Sequence, residues 1–129
     1  MRKVRKIEQK KAAVIGEYSG IVLLDYPSSA VRNLENKEVR QDLRKLISSA
    51  RPSYVYTHNL ADKHDTHVAV AARVIQALRE LPEEPCPQKA CGCEVWRDLD
   101  WMVAKDKVIF DVGLMRIWQQ PPQASSTPK

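Results

Sequence analysis

The sequence predicts an α/β fold in which parallel strands alternate with helices in layers, and three observations carry that prediction. Helix-like and strand-like stretches alternate from the N-terminus to Pro82. The strand-like runs are short, rich in β-branched or aromatic residues, and closed by turn residues, as suits a sheet covered by helices. The chain has 129 residues, 43% hydrophobic and 29% charged, a balance that fits one globular domain and excludes a disordered, collagen-like or coiled-coil chain.

In chain order, Arg2 to Tyr18 sets Val4, Ile7, Val14, Ile15 and Tyr18 near one helical face, interrupted by Lys11 and stopped at Gly16 or Gly20. Ile21-Val22-Leu23-Leu24 reads as a buried strand, and Pro27 with two serines takes the chain out of the sheet. From Asn36 to Ser49, Val39, Leu43, Leu46 and Ile47 recur at three- and four-residue steps, the clearest helix in the chain. Arg51-Pro52 breaks it, and Ser53-Tyr54-Val55-Tyr56-Thr57 follows as a second strand. A polar loop from His58 to Asp65 leads to a third helix, with Val68, Ala71, Val74, Ile75, Leu78 and Leu81 as its apolar face. Pro82, Pro85 and Pro87 mark a loop from Glu83 to Lys89, and Val108 to Val112 reads as a further strand. Gln119 to Lys129 has a composition that cannot bury a core. The expected division is a domain over 1–117 and a disordered tail over 118–129.

The net charge of +5 sits at one end. Residues 1–11 hold six basic side chains and one acid, so the remaining 118 residues balance at fifteen of each sign. Such an arm reads as the solvated face of a helix. No ribonucleoprotein signature, Gly-rich loop or helix-turn-helix accompanies it, so nucleic acid is not expected as a partner. A small basic nucleic-acid-binding module working through Met1–Lys11 is the minor alternative. No run approaches the roughly 20 apolar residues that span a bilayer, and the charged N-terminus is unlike a secretory signal. Three cysteines, an odd number, then point to free thiols and a cytoplasmic setting. Cys86, Cys91 and Cys93 lack the paired Cys-x2-Cys spacing of structural zinc sites and read as incidental.

All three histidines, His58, His64 and His67, fall within ten residues. In layered α/β folds ligands bind at the carboxyl ends of strands, and the 58–67 loop lies at such an end. His64 and His67, three apart on a first helical turn, share a side. They suit a metal ligand beside an acid or oxyanion stabiliser, or else an exposed polar loop in which Asp65 or Thr66 caps the helix. Asp62 either orients an imidazole from behind or makes its own turn. Farther on, Trp96, Arg97 and Trp101 stand in a segment where tryptophan faces could stack on sugars and an arginine fork could grip an anion, or where both serve packing.

These residues together resemble the LmbE-like, or PIG-L, zinc-dependent de-N-acetylases. The resemblance lies in Tyr56-Thr57-His58-Asn59, Asp62-Lys63-His64-Asp65-Thr66-His67 and the helix from Val68. It extends to Glu94 through Trp101 and Lys107 through Asp111. It implies a Rossmann-like α/β fold, a Zn2+ cofactor and an N-acetylglucosamine-containing conjugate as substrate. Residue by residue, it makes His67 the metal ligand of a His-x-x-His motif and His64 the catalytic group that stabilises the oxyanion or protonates the leaving amine. It also implies a water activated on zinc, whose pKa falls to about 7. Thr66 stands where many members carry aspartate, so Asp62 or Asp65 is expected to support the charge on His64. Trp96, Arg97 and Trp101 become the substrate-proximal residues. The family's His-Pro-Asp-Asp motif does not occur in this sequence. The expectation is an internal piece of a deacetylase domain, incomplete at its N-terminal end, prone to self-association through unpaired strand edges. The alternative on the same resemblance is a non-catalytic fragment or pseudoenzyme.

Overall fold

The computed structural model describes residues 2–82, 86–97 and 99–111. Its elements run α1 (Arg2–Ile15), α2 (Ser28–Arg32), α3 (Lys37–Ala50), β1 (Tyr54–His58), α4 (Asp65–Arg79) and β2 (Lys89–Cys93), with a 3-10 turn at Ala104–Asp106. Residues 1–99 form one unit and 100–129 a second. The tail expected at 118–129 lies outside the described residues.

Local chemistry sets the helix ends. The Asn36 side chain accepts from the Glu38 N–H at 2.9 Å and opens α3. Arg51, in the left-handed region at φ 47°, closes it, and Pro52 prevents continuation. α1 stops at Ile15, short of Tyr18, because Glu17 takes a left-handed φ of 53°. The Tyr18 N–H then returns to Ala13 O and the Glu17 N–H to Val14 O, a Schellman closure.

α4 packs against α2, α3 and β1. Its buried side chains are Ala69, Ala71, Arg73, Val74 and Ala77. The expected Val68, Ile75 and Leu78 sit half-buried at its border. Ala69, Arg73 and Ala77 follow one another at four-residue steps on its buried side. The Arg73 guanidinium donates to five main-chain carbonyls over 30–36: Ala30, Val31, Asn33, Leu34 and Asn36. α2, which the sequence pattern did not indicate, is held at its C-terminal end by this fork.

β1 and β2 pair in parallel, with Tyr54 opposite Lys89 and His58 opposite Cys93. α4 lies in the connection between them, so the unit is β-α-β and the fold is α/β with parallel strands. β2 falls partly on residues read as loop. Lys89-Ala90-Cys91-Gly92-Cys93 has no β-branched residue; it is a strand because β1 offers it hydrogen-bonding groups, and this context overrides propensity.

Two expected strands are corrected. Ile21 to Leu24 takes no regular secondary structure and joins no ladder, and Ile21, Val22 and Leu23 are 40, 59 and 39% exposed. A strand exists only where a neighbour takes its N–H and C=O groups, and no described strand lies beside this run. Val108 to Asp111 likewise forms no strand among the described residues; Val108, Ile109 and Phe110 are all exposed, and Val112 lies outside the described residues.

One side-chain bond makes a pH prediction. The Tyr26 hydroxyl donates to Asp42 Oδ2 at 2.7 Å. That bond, then burial and the carboxylate charge, push its pKa up to about 12. Because the folded value lies above the ordinary one near 10, the stabilisation is complete below pH 10 and is lost as pH rises through 12. In an absorbance titration one of the four tyrosines should ionise late, and Tyr26→Phe should delete that step. A titration with no late step, or one whose late step survives in Tyr26→Phe, would refute it.

Candidate metal centre

The histidines come together at the carboxyl end of β1, where the chain turns through residues 59–64 into α4. Asn59 fixes this turn: its Oδ1 accepts from the Ala61 N–H at 2.9 Å and its Nδ2 donates to Gly92 O, at the end of β2, at 3.2 Å. Asp62 Oδ1 accepts from the His64 N–H at 2.8 Å. His64 caps α4, its Nδ1 accepting from the Thr66 N–H at 3.2 Å. The helix is therefore capped by His64 and not by Asp65 or Thr66. A cap at Nδ1 requires a lone pair there, which puts the ring proton on Nε2.

Asp62 and His67 form the core of the group. Asp62 Oδ2 lies 2.9 Å from His67 Nδ1, with the carboxylate 1% and the imidazole 14% exposed. The His58 ring stacks on His67 at 4.0 Å between centroids and 3° between planes. His64 stacks on the same ring at 4.5 Å. Ligand atoms of His58, Asp62 and His67 all lie within 4.8 Å of one another. His58 Nδ1 is buried and has no hydrogen-bond partner among the described residues. Burial, followed by the charge of His67, holds the His58 pKa below its ordinary value against the opposing pull of Asp62. Its neutral form, the one that ligates metal, is thereby favoured.

This donor set fits a divalent ion of borderline softness such as zinc: two imidazoles and a buried carboxylate, one imidazole, His58, with an Nδ1 that has no hydrogen-bond partner among the described residues. Asp62 already engages His67 Nδ1, which leaves Nε2 for a ligand and fixes the ring's orientation.

Of the residues the sequence singled out, His64, His67 and Asp62 are together. Asp65 is exposed, in the first turn of α4 and outside the His58–Asp62–His67 group. The Trp96 ring sits 5.5 Å from His67 at a 55° tilt and is 78% exposed. Trp96 and Arg97 both take left-handed φ, 54° and 62°, a strained pair of non-glycine residues beside the group. Trp101 is exposed and belongs to the second unit. Cys91 and Cys93 are free thiols on β2, and Cys93 pairs in register with His58. His58 is the member that spacing arguments left out, although its signal was present: a histidine as the last residue of a strand, at the end where ligands bind. Beside it opens a cleft of about 400 Å³ lined by Tyr56, Thr57, Val70, Val74, Cys93 and Val95.

Gly92 supports this arrangement from β2. A Cβ there would meet Asn59 Nδ2 at 3.0 Å and Asn59 Cα at 3.2 Å. Gly92→Ala is expected to push the 59–64 turn outward and weaken zinc affinity by about tenfold, with unchanged far-ultraviolet circular dichroism. A chelator competition giving wild-type affinity would show that the turn absorbs the methyl group.

The family model for GlcNAc-PI de-N-acetylases, PIG-L, matches residues 1–78. No curated protein and no solved structure matches the chain. The matched stretch covers well over half of the 129 residues and takes in β1, the 59–64 turn and the first turns of α4, where His58, Asp62, His64 and His67 meet. By that match the chain belongs to the PIG-L family of GlcNAc-PI de-N-acetylases.

Proposed function

We propose that this chain carries half of the active site of a zinc-dependent hydrolase for a linear amide bond, one that removes acetyl from an N-acetylglucosaminyl conjugate. Members of its family are generally metal-dependent, and the observation that supports the reading most is the His58–Asp62–His67 group at the mouth of β1. His67 and His58 would hold the ion, with Asp62 orienting His67 through Nδ1. When bound, zinc acidifies its water and polarises the acetyl carbonyl. His64 presents its Nε2–H to the developing oxyanion, its ring held by the cap bond from Thr66. Asp65 adds negative charge in the same turn. Trp96 offers an exposed face to a sugar ring beside His67, with Arg97 next to it in the chain. The free thiols fit a cytoplasmic setting. The two-stranded sheet's outer edges fit self-association.

A second reading, metal binding without turnover, is favoured by the carboxylate count. Asp62 is the single carboxylate in the group and is engaged by His67. Two ligating nitrogens then remain where catalytic zinc sites use three protein ligands, and a carboxylate to activate water is not supplied by the group.

The test is acetate release from an N-acetylglucosaminyl conjugate by the zinc-loaded chain. The hydrolase reading expects turnover, a loss of about 100-fold in His64→Ala with zinc retained, and a raised KM in Trp96→Ala. Stoichiometric zinc with no acetate released establishes the second reading instead.

A further inference from the structure

α1 shows its apolar side to solvent. At the α-helical 100° per residue, Val4, Ile7, Val14 and Ile15 fall within about 100° of arc. They are 59, 55, 78 and 56% exposed. Ala13, the one residue that α1 buries among those described, lies across the helix from them. On that same inner side Lys6 Nζ reaches Asp25 Oδ2 at 2.8 Å. A helix on the surface of a domain ordinarily does the reverse, with apolar stripe inward and charges outward.

Charge borders the stripe. Lys3 and Lys10 flank one margin, and Lys11 sits within it, exposed, on a stem long enough to lie along apolar material while its ammonium reaches water. Residues 1–11 carry six bases and one acid, whereas the other 118 residues are balanced. An outward apolar stripe with lysines at its margin is the pattern of a helix lying in a lipid–water interface.

We propose that α1 docks on an anionic lipid surface, its Val4, Ile7, Val14 and Ile15 stripe at the headgroup–acyl boundary and its lysines among anionic headgroups. Charge complementarity selects this occupant. A second copy would set one strongly basic helix against another, and a nucleic acid would use the charges while leaving the stripe in water. The helix lies on the surface and does not cross it, since no described helix is long and apolar enough to span a membrane.

The test is flotation of the full chain with phosphatidylcholine vesicles, with and without phosphatidylserine, at rising salt. The expected result is binding to the phosphatidylserine vesicles that weakens with salt. Ile7→Asp and Val14→Asp should each lose about tenfold or more, and Lys3→Glu and Lys10→Glu about fivefold each. All four side chains are exposed, so circular dichroism should not change. The proposal is overturned by equal binding to both vesicle types, by none, or by binding that Ile7→Asp leaves intact. It is equally overturned by a dimer that Ile7→Asp converts to monomer, or by oligonucleotide binding that salt abolishes and Val14→Asp preserves.

Discussion

His67→Ala is expected to abolish measurable zinc binding, a loss of more than about 100-fold in affinity. The His67 ring is the hub of the group. It stacks on His58 at 4.0 Å and on His64 at 4.5 Å, and Asp62 Oδ2 meets its Nδ1 at 2.9 Å. Removing it deletes the ring nitrogen proposed to ligate the ion and leaves a buried carboxylate without the imidazole it faces. Asp62→Asn keeps the shape but weakens the hold on His67 Nδ1, and should cost about 10–100-fold. His58→Ala removes the second nitrogen and should also bind weakly, whereas His64→Ala should bind nearly as wild type, because that ring's Nδ1 is committed to the helix cap. Competition against a chromogenic chelator reads all four. Wild-type affinity in His67→Ala, or a His64→Ala defect as deep as that of His58→Ala, would mean that the ion is held elsewhere.

The second large effect concerns stability. Arg73→Ala should destabilise the fold by about 4 kcal/mol, since each buried acceptor left without a donor costs about 1–3 kcal/mol and water recovers only part of it. The side chain is fully buried, and its Nη1 alone donates to Leu34 O at 3.0 Å and Asn36 O at 2.8 Å. Burial, then the charge of Arg40, lower its pKa, with Glu35 opposing. The carbonyls over residues 30–36 are what make a cation tolerable there. Arg73→Lys keeps the charge but replaces a planar five-donor fork by a point charge, and should recover no more than about half of the loss. The measurement is the urea midpoint followed by circular dichroism. For a domain stabilised by about 5–15 kcal/mol, the alanine variant should lie close to unfolding. A midpoint shift worth less than about 1 kcal/mol would show that the carbonyls find water as readily as guanidinium.

The helices were largely legible in the sequence, and the reason is local. α3 follows from Val39, Leu43, Leu46 and Ile47 at helical spacing, with Asn36 and Pro52 at its ends, because a helix satisfies its own backbone groups. The strands were less so. Tyr54–His58 was read nearly to the residue, yet Ile21–Leu24, with better strand propensity than Lys89–Cys93, pairs with nothing described, while Lys89–Cys93 pairs with β1. Arg73 gave no signal either: an arginine within an apolar stripe reads as a flaw until the carbonyls of residues 30–36 arrive beneath it.

For the site, the sequence by itself determined the residue types, the strand-end location and the relation of His64 to His67 across a helical turn, along with the family those residues imply. Only the tertiary structure decided that His58 lies against His67, that Asp62 turns to His67 Nδ1, and that His64 spends its Nδ1 on the helix cap. Those outcomes depend on how a strand end, a turn and a helix start meet in space. Periodicity within an element says nothing of the angle at which the next one arrives, and a ligand set is a matter of a few ångströms.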